Sequence, residues 1–408
     1  MNAFSWPVLL FVLIFYVLAR YVLRPDQRHT LMTVGAVIFI FLQDAPVALM
    51  RFLYLAITAM VLIFGWKAGQ WTEKRRGEMT KGFWAGCIGF ILAPLVLFKF
   101  VQAVVPTHLI EVAMATRGNM NIGALAPLGI SYFTFRALAY LIEIRKGSIE
   151  PVGFWRYLNY VAFWPTYMAG PIERPGAFLS QTAEDGKITD EDVRIGVFRI
   201  LEGLFKKLVV GGIFYQICKP FILLQGVKLS HLESWSCWQL WACLTAYYLY
   251  LYCDFAGYSD VAIGAARIFG YRIMENFNWP ILATNVADFW RRWHISLTGW
   301  ITDYVYIGLG GNRQGLSKAA KNTVIAMLLV GIWHGLNIHF ALWGVYHAIW
   351  LNIYRRYRKE RKQDRPKTWW RTGLAWFITF QIINLGWVLF LFRPRVAIAV
   401  FMKLFMLS

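Results

Sequence analysis

The sequence predicts an all-α integral membrane protein, and three observations lead there. Of its 408 residues 58% are hydrophobic and 16% charged, where a soluble chain carries about a quarter charged residues. Apolar runs long enough for a bilayer recur from end to end, and a span needs about 20 mostly apolar residues. Positive charge gathers at the ends of those runs, with a formal net charge of +20.

Taken in order, the runs are Ser5–Leu23, Leu31–Leu42, Val47–Trp66 and Phe83–Val105. Ala124–Ile142, Phe154–Gly170, Leu208–Leu224, Cys237–Cys253 and Val261–Phe269 follow. Asn322–Tyr354 and Trp369–Phe392 come last, with a short apolar tail at Val396–Leu407. Allowing for splits and short segments, they amount to roughly ten to twelve membrane helices, some tilted, broken or re-entrant. The polar stretches Gly170–Lys207, Gly270–Lys321 and Arg355–Arg371 all contain apolar anchors. One membrane domain over residues 1–408 is therefore expected.

The first run has no positive residue before it, is followed by Arg20, Arg24 and Arg28, and lacks a small-residue cleavage site. It reads as a first span with a cytoplasmic C-terminal end, not a cleavable signal. Glu73-Lys74-Arg75-Arg76 and the basic run Arg355–Lys362 are expected on the cytoplasmic side by the positive-inside rule, where they also favour anionic lipid. No recognisable nucleic-acid module accompanies the charge. The five cysteines are odd in number and have no C-x-x-C spacing, which disfavours disulfide scaffolding and zinc ribbons. Prolines at 25, 46, 94, 106, 127, 165 and 171 interrupt the runs. Inside a bilayer such interruptions persist where freed carbonyls find partners or line a cavity.

Gly270–Lys321 differs from the rest. Asn285 is a candidate N-cap with Asp288 three residues on. Trp290, Trp293, His294, Leu297 and Ile301 then recur at three- and four-residue spacing, as on one helix. Asp288 and Arg292 can pair at i,i+4, and Gly308, Gly310 and Gly311 end the pattern. This amphipathic, aromatic-rich segment is expected to be re-entrant or interfacial.

Two histidines stand out. His334 lies in Trp333-His334-Gly335 inside an apolar run, with Gly331 and Gly335 four apart beside it. Such a small face lets a backbone or a thin substrate approach closely. An ionisable group at membrane depth is a functional candidate, and imidazole suits proton transfer near neutral pH. Taken alone, His334 is equally a structural histidine bonded to a neighbouring helix. His294 follows Arg291, Arg292 and Trp293 and by itself reads first as an interfacial anchor; the pairing with His334 moves it toward a site. His339 and His347 lie five and thirteen residues beyond His334. A five-residue step turns about 140° at roughly 100° per residue, so a helical metal pair is not expected unless the helix breaks at Gly335.

Asp254 and Tyr258 share a helix face, and Asp260 and Arg267 are seven apart and could pair. A buried polar knot is the first reading and a substrate-channel wall the second. Gly129–Arg136, with Glu143 and Arg145 after it, and Met168–Arg174 read as structural interruptions at helix ends.

Together the strings Gly129–Arg136, Ala169–Arg174, Asp254–Asp260, Glu275–Asn278, Asp288–Leu297, Asp303–Tyr306, Gly310–Arg313 and Trp333–Gly335 resemble the membrane-bound O-acyltransferase family. The resemblance is to the branch of alginate O-acetylation and teichoic-acid D-alanyl transfer membrane proteins, and it extends over most of the chain beyond residue 125. It implies a ring of tilted helices around a thin centre, with a tunnel reaching a catalytic histidine from opposite faces. It places that histidine on His334 and the second functional histidine on His294. Trp293, Trp333, Arg291, Arg292, Asp254, Tyr258 and Asn337 are expected along the channel.

The resemblance further implies a short acyl group taken from a cytosolic thioester, acetyl-CoA or an acyl carrier protein's phosphopantetheine, with no bound cofactor or metal. The acyl group would reach an envelope polysaccharide through an extracytoplasmic partner transferase, at a bacterial cytoplasmic membrane. Gly257–Asp260 and Leu309–Arg313 look like the O-acetylation members. The short length, Phe135–Leu138 and Ile142–Arg145 look closer to the D-alanyl members. Acetyl is favoured and D-alanyl is the alternative. A transporter or flippase explains the spans and prolines, but internal pseudo-repeats, which many transporters have, are not visible.

Overall fold

A computed structural model describes residues 6–24, 27–41, 48–75, 78, 80–104, 129–182, 188–226, 230–360 and 368–406. Every regular element among them is helical. Among the described residues four helices are long and apolar enough to cross a membrane: Phe52–Lys74, Lys81–Val104, Gly315–His334 and Trp369–Leu391. Between 22% and 39% of the most apolar part of each is buried, so most of their apolar surface faces outward, as lipid contact requires. Pro25, Pro46, Pro106, Pro127, Arg76 and the end of the basic run at 361–362 lie outside the described residues.

The chain divides into two compact units, residues 1–201 with 259–274, and residues 202–258 with 275–408. In the first, Ala48–Lys74 packs on Ile130–Lys146. Gly69 makes the approach possible, because a Cβ there would sit 2.7 Å from the Tyr140 ring. The string Gly129–Arg136 proves structural at Arg136. Its buried guanidinium donates to the Thr166 carbonyl at 2.9 Å, the Thr166 hydroxyl at 2.6 Å and the Pro171 carbonyl at 3.1 Å. It thereby satisfies carbonyls that proline and the short Trp164–Thr166 turn leave without helical donors. The Glu173 carboxylate accepts from the Met274 N–H, and burial pushes its pKa up to about 7. Asp260 and Arg267 do not pair with each other. Arg199 reaches Asp260 at 2.8 Å and Arg267 reaches Asp192 at 2.8 Å, because a neighbouring helix offers closer partners than two turns of the same one.

Two sequence boundaries move. The runs starting at Cys237 and Val261 belong to one helix, Cys237–Ile268. The run Asn322–Tyr354 is instead broken. Gly315–His334 ends where Gly335 takes an extended conformation, and Ile338–Glu360 returns. The two helices touch backbone to backbone in the second unit. A Cβ on Gly331 would lie 2.2 Å from the Phe340 carbonyl oxygen, and one on Gly344 2.3 Å from that of Met327. The small face read from Gly331 and Gly335 therefore receives the next helix of the same chain.

Candidate active site

All the residues of the candidate site belong to the second unit. His334 is the last residue of its helix, placed there by the break at Gly335. Its ring is half-buried and framed by aromatic rings from both sides of the break. Ring centroids lie 4.7 Å away at Trp333, 4.9 Å at Phe390, 5.4 Å at Trp343 and 6.1 Å at Phe340. These rings limit the imidazole's rotation while leaving part of it accessible.

His294 is held differently. Asn285 caps Val286–Arg292 by accepting from the Asp288 N–H at 2.8 Å, as its position predicted. The helix does not then continue through Trp293 and His294. It stops, and a second short helix starts at Ile295. His294 sits between them at φ 45°, in the left-handed region, one of the few side chains enriched there. The physical cause is Asn276. The Asn276 carbonyl accepts from the Ile295 N–H at 2.9 Å. Its side-chain oxygen accepts from the Ser296 hydroxyl at 2.9 Å and the Ser296 N–H at 3.3 Å.

The same oxygen lies 3.1 Å from His294 Nδ1. Since the Ser296 backbone N–H can only donate, the Asn276 atom it meets is the oxygen, and Nδ1 must carry the proton. Nε2 is then a bare lone pair, buried without a hydrogen-bond partner. Complete burial pushes the imidazole pKa down to about 3, because the charged form loses its hydration. His294 is thus neutral, with a fixed tautomer. Its ring meets Phe255 edge-on at 4.7 Å and Trp333 at 5.9 Å. Trp333 lies against both histidines and joins the two halves of the site.

The other expected channel residues separate into two groups. Trp293 is buried in the aromatic packing, stacked on Phe289 at 5.5 Å and against Trp387 at 5.2 Å. Asn337 is exposed in the break, where its carbonyl starts the following helix by accepting from the Phe340 N–H at 3.1 Å. Asp254 turns to Lys207, and Tyr258 is half-buried one turn on. The residue of that helix that reaches His294 is Phe255. Arg292 pairs with Asp288 at 2.9 Å, as i,i+4 spacing predicted, while Arg291 is largely exposed and pairs with the same carboxylate at 3.2 Å. The histidines thus share a site with Trp333, with Trp293 packed alongside. The arginines and Asp254 have other charged partners.

Sequence reading missed Asn276, Phe255 and Trp343. Asn276 was visible only as part of Glu275–Asn278, and nothing in its spacing announces a contact 18 residues away. Among the described residues no three His, Cys, Asp or Glu side chains gather where a metal could bind. The break at Gly335 does not assemble such a set with His339 and His347. The described cysteines are all free.

Comparison with known proteins returns a consistent set. A family model described as MBOAT, membrane-bound O-acyltransferase family, matches residues 6–387. A probable alginate O-acetylase of Azotobacter vinelandii is 31% identical over 402 residues, covering 95% of this chain and 74% of that protein. A peptidoglycan O-acetyltransferase of Helicobacter pylori is 33% identical over 65% of this chain and 54% of its own length. A teichoic acid D-alanyltransferase of Bacillus subtilis is 32% identical over 65% of this chain and 69% of its own. The alginate O-acetylase matches extend over 49% to 76% of those proteins' lengths.

Proposed function

The chain belongs to the membrane-bound O-acyltransferase family, and from that premise we propose that it moves a short acyl group from a cytosolic thioester across a bacterial cytoplasmic membrane, with His334 as the proton-transfer group. Residues 1–408 then act as one acyltransferase domain, with the family's ring of ten to twelve helices and a tunnel through its centre. The observation that carries the assignment is the half-buried His334 at a helix break, joined through Trp333 to His294.

In the reaction an acceptor hydroxyl attacks the thioester carbonyl while His334 takes its proton. The tetrahedral intermediate then collapses, the C–S bond breaks, and the leaving thiolate takes that proton back from the imidazolium. Such acid–base help is worth about 10²–10⁴ in rate, and alignment of both reactants in one passage adds to it. The aromatic walls exclude water that would otherwise hydrolyse the thioester. His294, neutral and with a bare Nε2, accepts a hydrogen bond from one reactant and orients it. Trp333 and Asn337 line the passage.

Acetyl is the favoured acyl group, since two of the O-acetylases match over 95% of this chain and the two D-alanyltransferases over 65% and 70%, although other O-acetylating relatives also match over 65%. An envelope polysaccharide is the proposed final acceptor, reached through an extracytoplasmic partner transferase. The test is His334→Ala in the full chain, supplied with a labelled acyl thioester and a small hydroxyl acceptor. Loss of transfer with normal membrane insertion is expected; wild-type transfer by the variant would overturn the role.

A further inference from the structure

We infer that the first unit carries a groove for one anionic phospholipid of the cytosolic leaflet. Its hydroxyl-bearing phosphate headgroup sits at Arg156 and Asn159, and an acyl chain lies along the helix Arg28–Phe41. Every residue of the groove belongs to the first unit, so the site stands independently of the histidine chemistry.

The groove begins as a sequence pattern. On the helix Arg28–Phe41 two i,i+4 rows lie side by side: His29, Thr33 and Val37, and Thr30, Val34 and Ile38. Each row passes from polar to apolar along the helix. The rest of the helix packs inward. Met32 and Ala36 are fully buried, and a Cβ on Gly35 would sit 2.7 Å from the Phe15 ring. The helix Phe154–Val161 packs alongside and adds Trp155, Arg156 and Asn159. The cavity between them measures about 480 Å³, within the roughly 300–1,000 Å³ of small-ligand sites. Val34, Ile38 and Trp155 are 46%, 37% and 66% exposed, so its apolar stretch lies open at the surface of the unit.

The polar end offers one cation and one acceptor. Arg156 donates through Nε to the Thr182 hydroxyl at 3.2 Å and through Nη2 to the Leu179 carbonyl at 3.1 Å. Among the described residues its Nη1 has no acceptor and no carboxylate pairs with it. Asn159 is 1% exposed. Its Nδ2 is committed to the Tyr271 hydroxyl at 3.1 Å. That hydroxyl also lies 2.5 Å from His29 Nδ1, and Arg28 sits over the same ring at 5.1 Å, so the carboxamide is held from behind. Asn159 Oδ1 is left buried without a hydrogen-bond partner, and a buried acceptor calls for a donor. A phosphate answers Arg156, and a hydroxyl close to it answers Asn159. A phosphoglycerol headgroup carries both on one short segment. Ethanolamine would also donate to Asn159, but it sets an ammonium beside Arg156.

Depth supplies an independent check. Nine residues separate His29 from Ile38, about 14 Å of helix at 1.5 Å per residue. Half of a ~30 Å hydrocarbon core is ~15 Å, so the groove runs the depth of one leaflet. Its polar end follows Arg20, Arg24 and Arg28 in the chain. The positive-inside rule puts such a cluster at the cytosolic face, where anionic lipid is held by basic groups. An apolar strip one leaflet deep, closed by a cation and an acceptor, fits an amphiphile and not a free sugar phosphate.

The test is native mass spectrometry of the full chain in detergent, titrated with phosphatidylglycerol, phosphatidylethanolamine, phosphatidylmethanol and glycerol phosphate. Phosphatidylglycerol is expected to bind about 10- to 100-fold more tightly than phosphatidylethanolamine, the range of a charge-assisted contact. Arg156→Gln should abolish that preference. Phosphatidylmethanol, equal in charge but without the hydroxyls that Asn159 would meet, should bind about 2- to 10-fold more weakly than phosphatidylglycerol. Val34→Trp fills the exposed apolar stretch and should weaken every lipid together. Equal binding of phosphatidylglycerol and phosphatidylethanolamine by the wild type, or a preference unchanged in Arg156→Gln, would overturn the site. Lipid binding unchanged in Val34→Trp, or glycerol phosphate bound as tightly as the lipid, would overturn the placement of the acyl chain. The comparison of lipids on the wild type decides the matter even where a variant fails to fold.

Discussion

His294 and His334 are the same side chain placed in opposite circumstances, barely 6 Å from a common tryptophan ring. His294 is sealed between two short helices, its tautomer imposed by Asn276 and its backbone forced to φ 45°. His334 ends a helix, half-buried, with rings on several sides and a backbone break behind it. Burial with a fixed hydrogen bond makes a good orienting acceptor and a poor proton carrier. Partial exposure at a break makes a group that substrate can reach and that can take and return a proton. The contrast supports the two proposed roles, an orienting acceptor at His294 and a proton carrier at His334.

The largest effect that can break this contrast is on the rate. His334→Ala should lower kcat by about 10²–10⁴ while changing the donor's KM little; His294→Gln should act more on KM. Equal kcat losses with both KM values unchanged would mean the histidines act as one unit.

A smaller effect tests the anchor. Asn276→Ala leaves the Ser296 donors and His294 Nδ1–H without their acceptor. Thermal unfolding in detergent should report a loss of about 1–3 kcal/mol, and activity should fall because His294 is no longer fixed. A variant as stable and active as the wild type would remove Asn276 from the site.

The pH dependence sharpens the difference further. His294 has a folded pKa lowered to about 3, below the ~6.5 of an unfolded histidine. Its neutral form is therefore fully compatible with folding above pH 6.5. As pH falls below 6.5 the unfolded chain takes up a proton that the folded site refuses. Stability should drop by up to ~1.4 kcal/mol per pH unit until about pH 3. His294→Gln should flatten this slope between pH 6.5 and 5; an unchanged slope would show that His294 accepts a proton in the folded protein.

The smallest effect concerns Arg291. Its exposed pair with Asp288 is of a kind worth less than about 1 kcal/mol, so Arg291→Gln should leave the melting temperature within error. A marked loss would reveal a partner for this side chain.

Much of the site was legible before any coordinates. Asn285 as a cap, Asp288 with Arg292 and the small face at Gly331 follow from local spacing, whereas the two histidines were singled out by their setting and by the family resemblance. Local rules failed where a distant group intervened. The single amphipathic helix expected through His294 is two helices because Asn276 captures Ile295 and Ser296. Asp260 and Arg267 choose partners on another helix.

What the sequence determined by itself is the class of molecule. Apolar length, scarce charge and basic flanks leave helices in a bilayer, because backbone polar groups there must be satisfied within the segment. Trp-flanked histidines in that setting are candidates for chemistry. The tertiary structure decided which histidine is sealed and which is half-buried at a helix break, and which asparagine sets a tautomer. These depend on groups brought within 3 Å from remote parts of the chain, and hydrogen-bond geometry at that range has no signature in residue spacing.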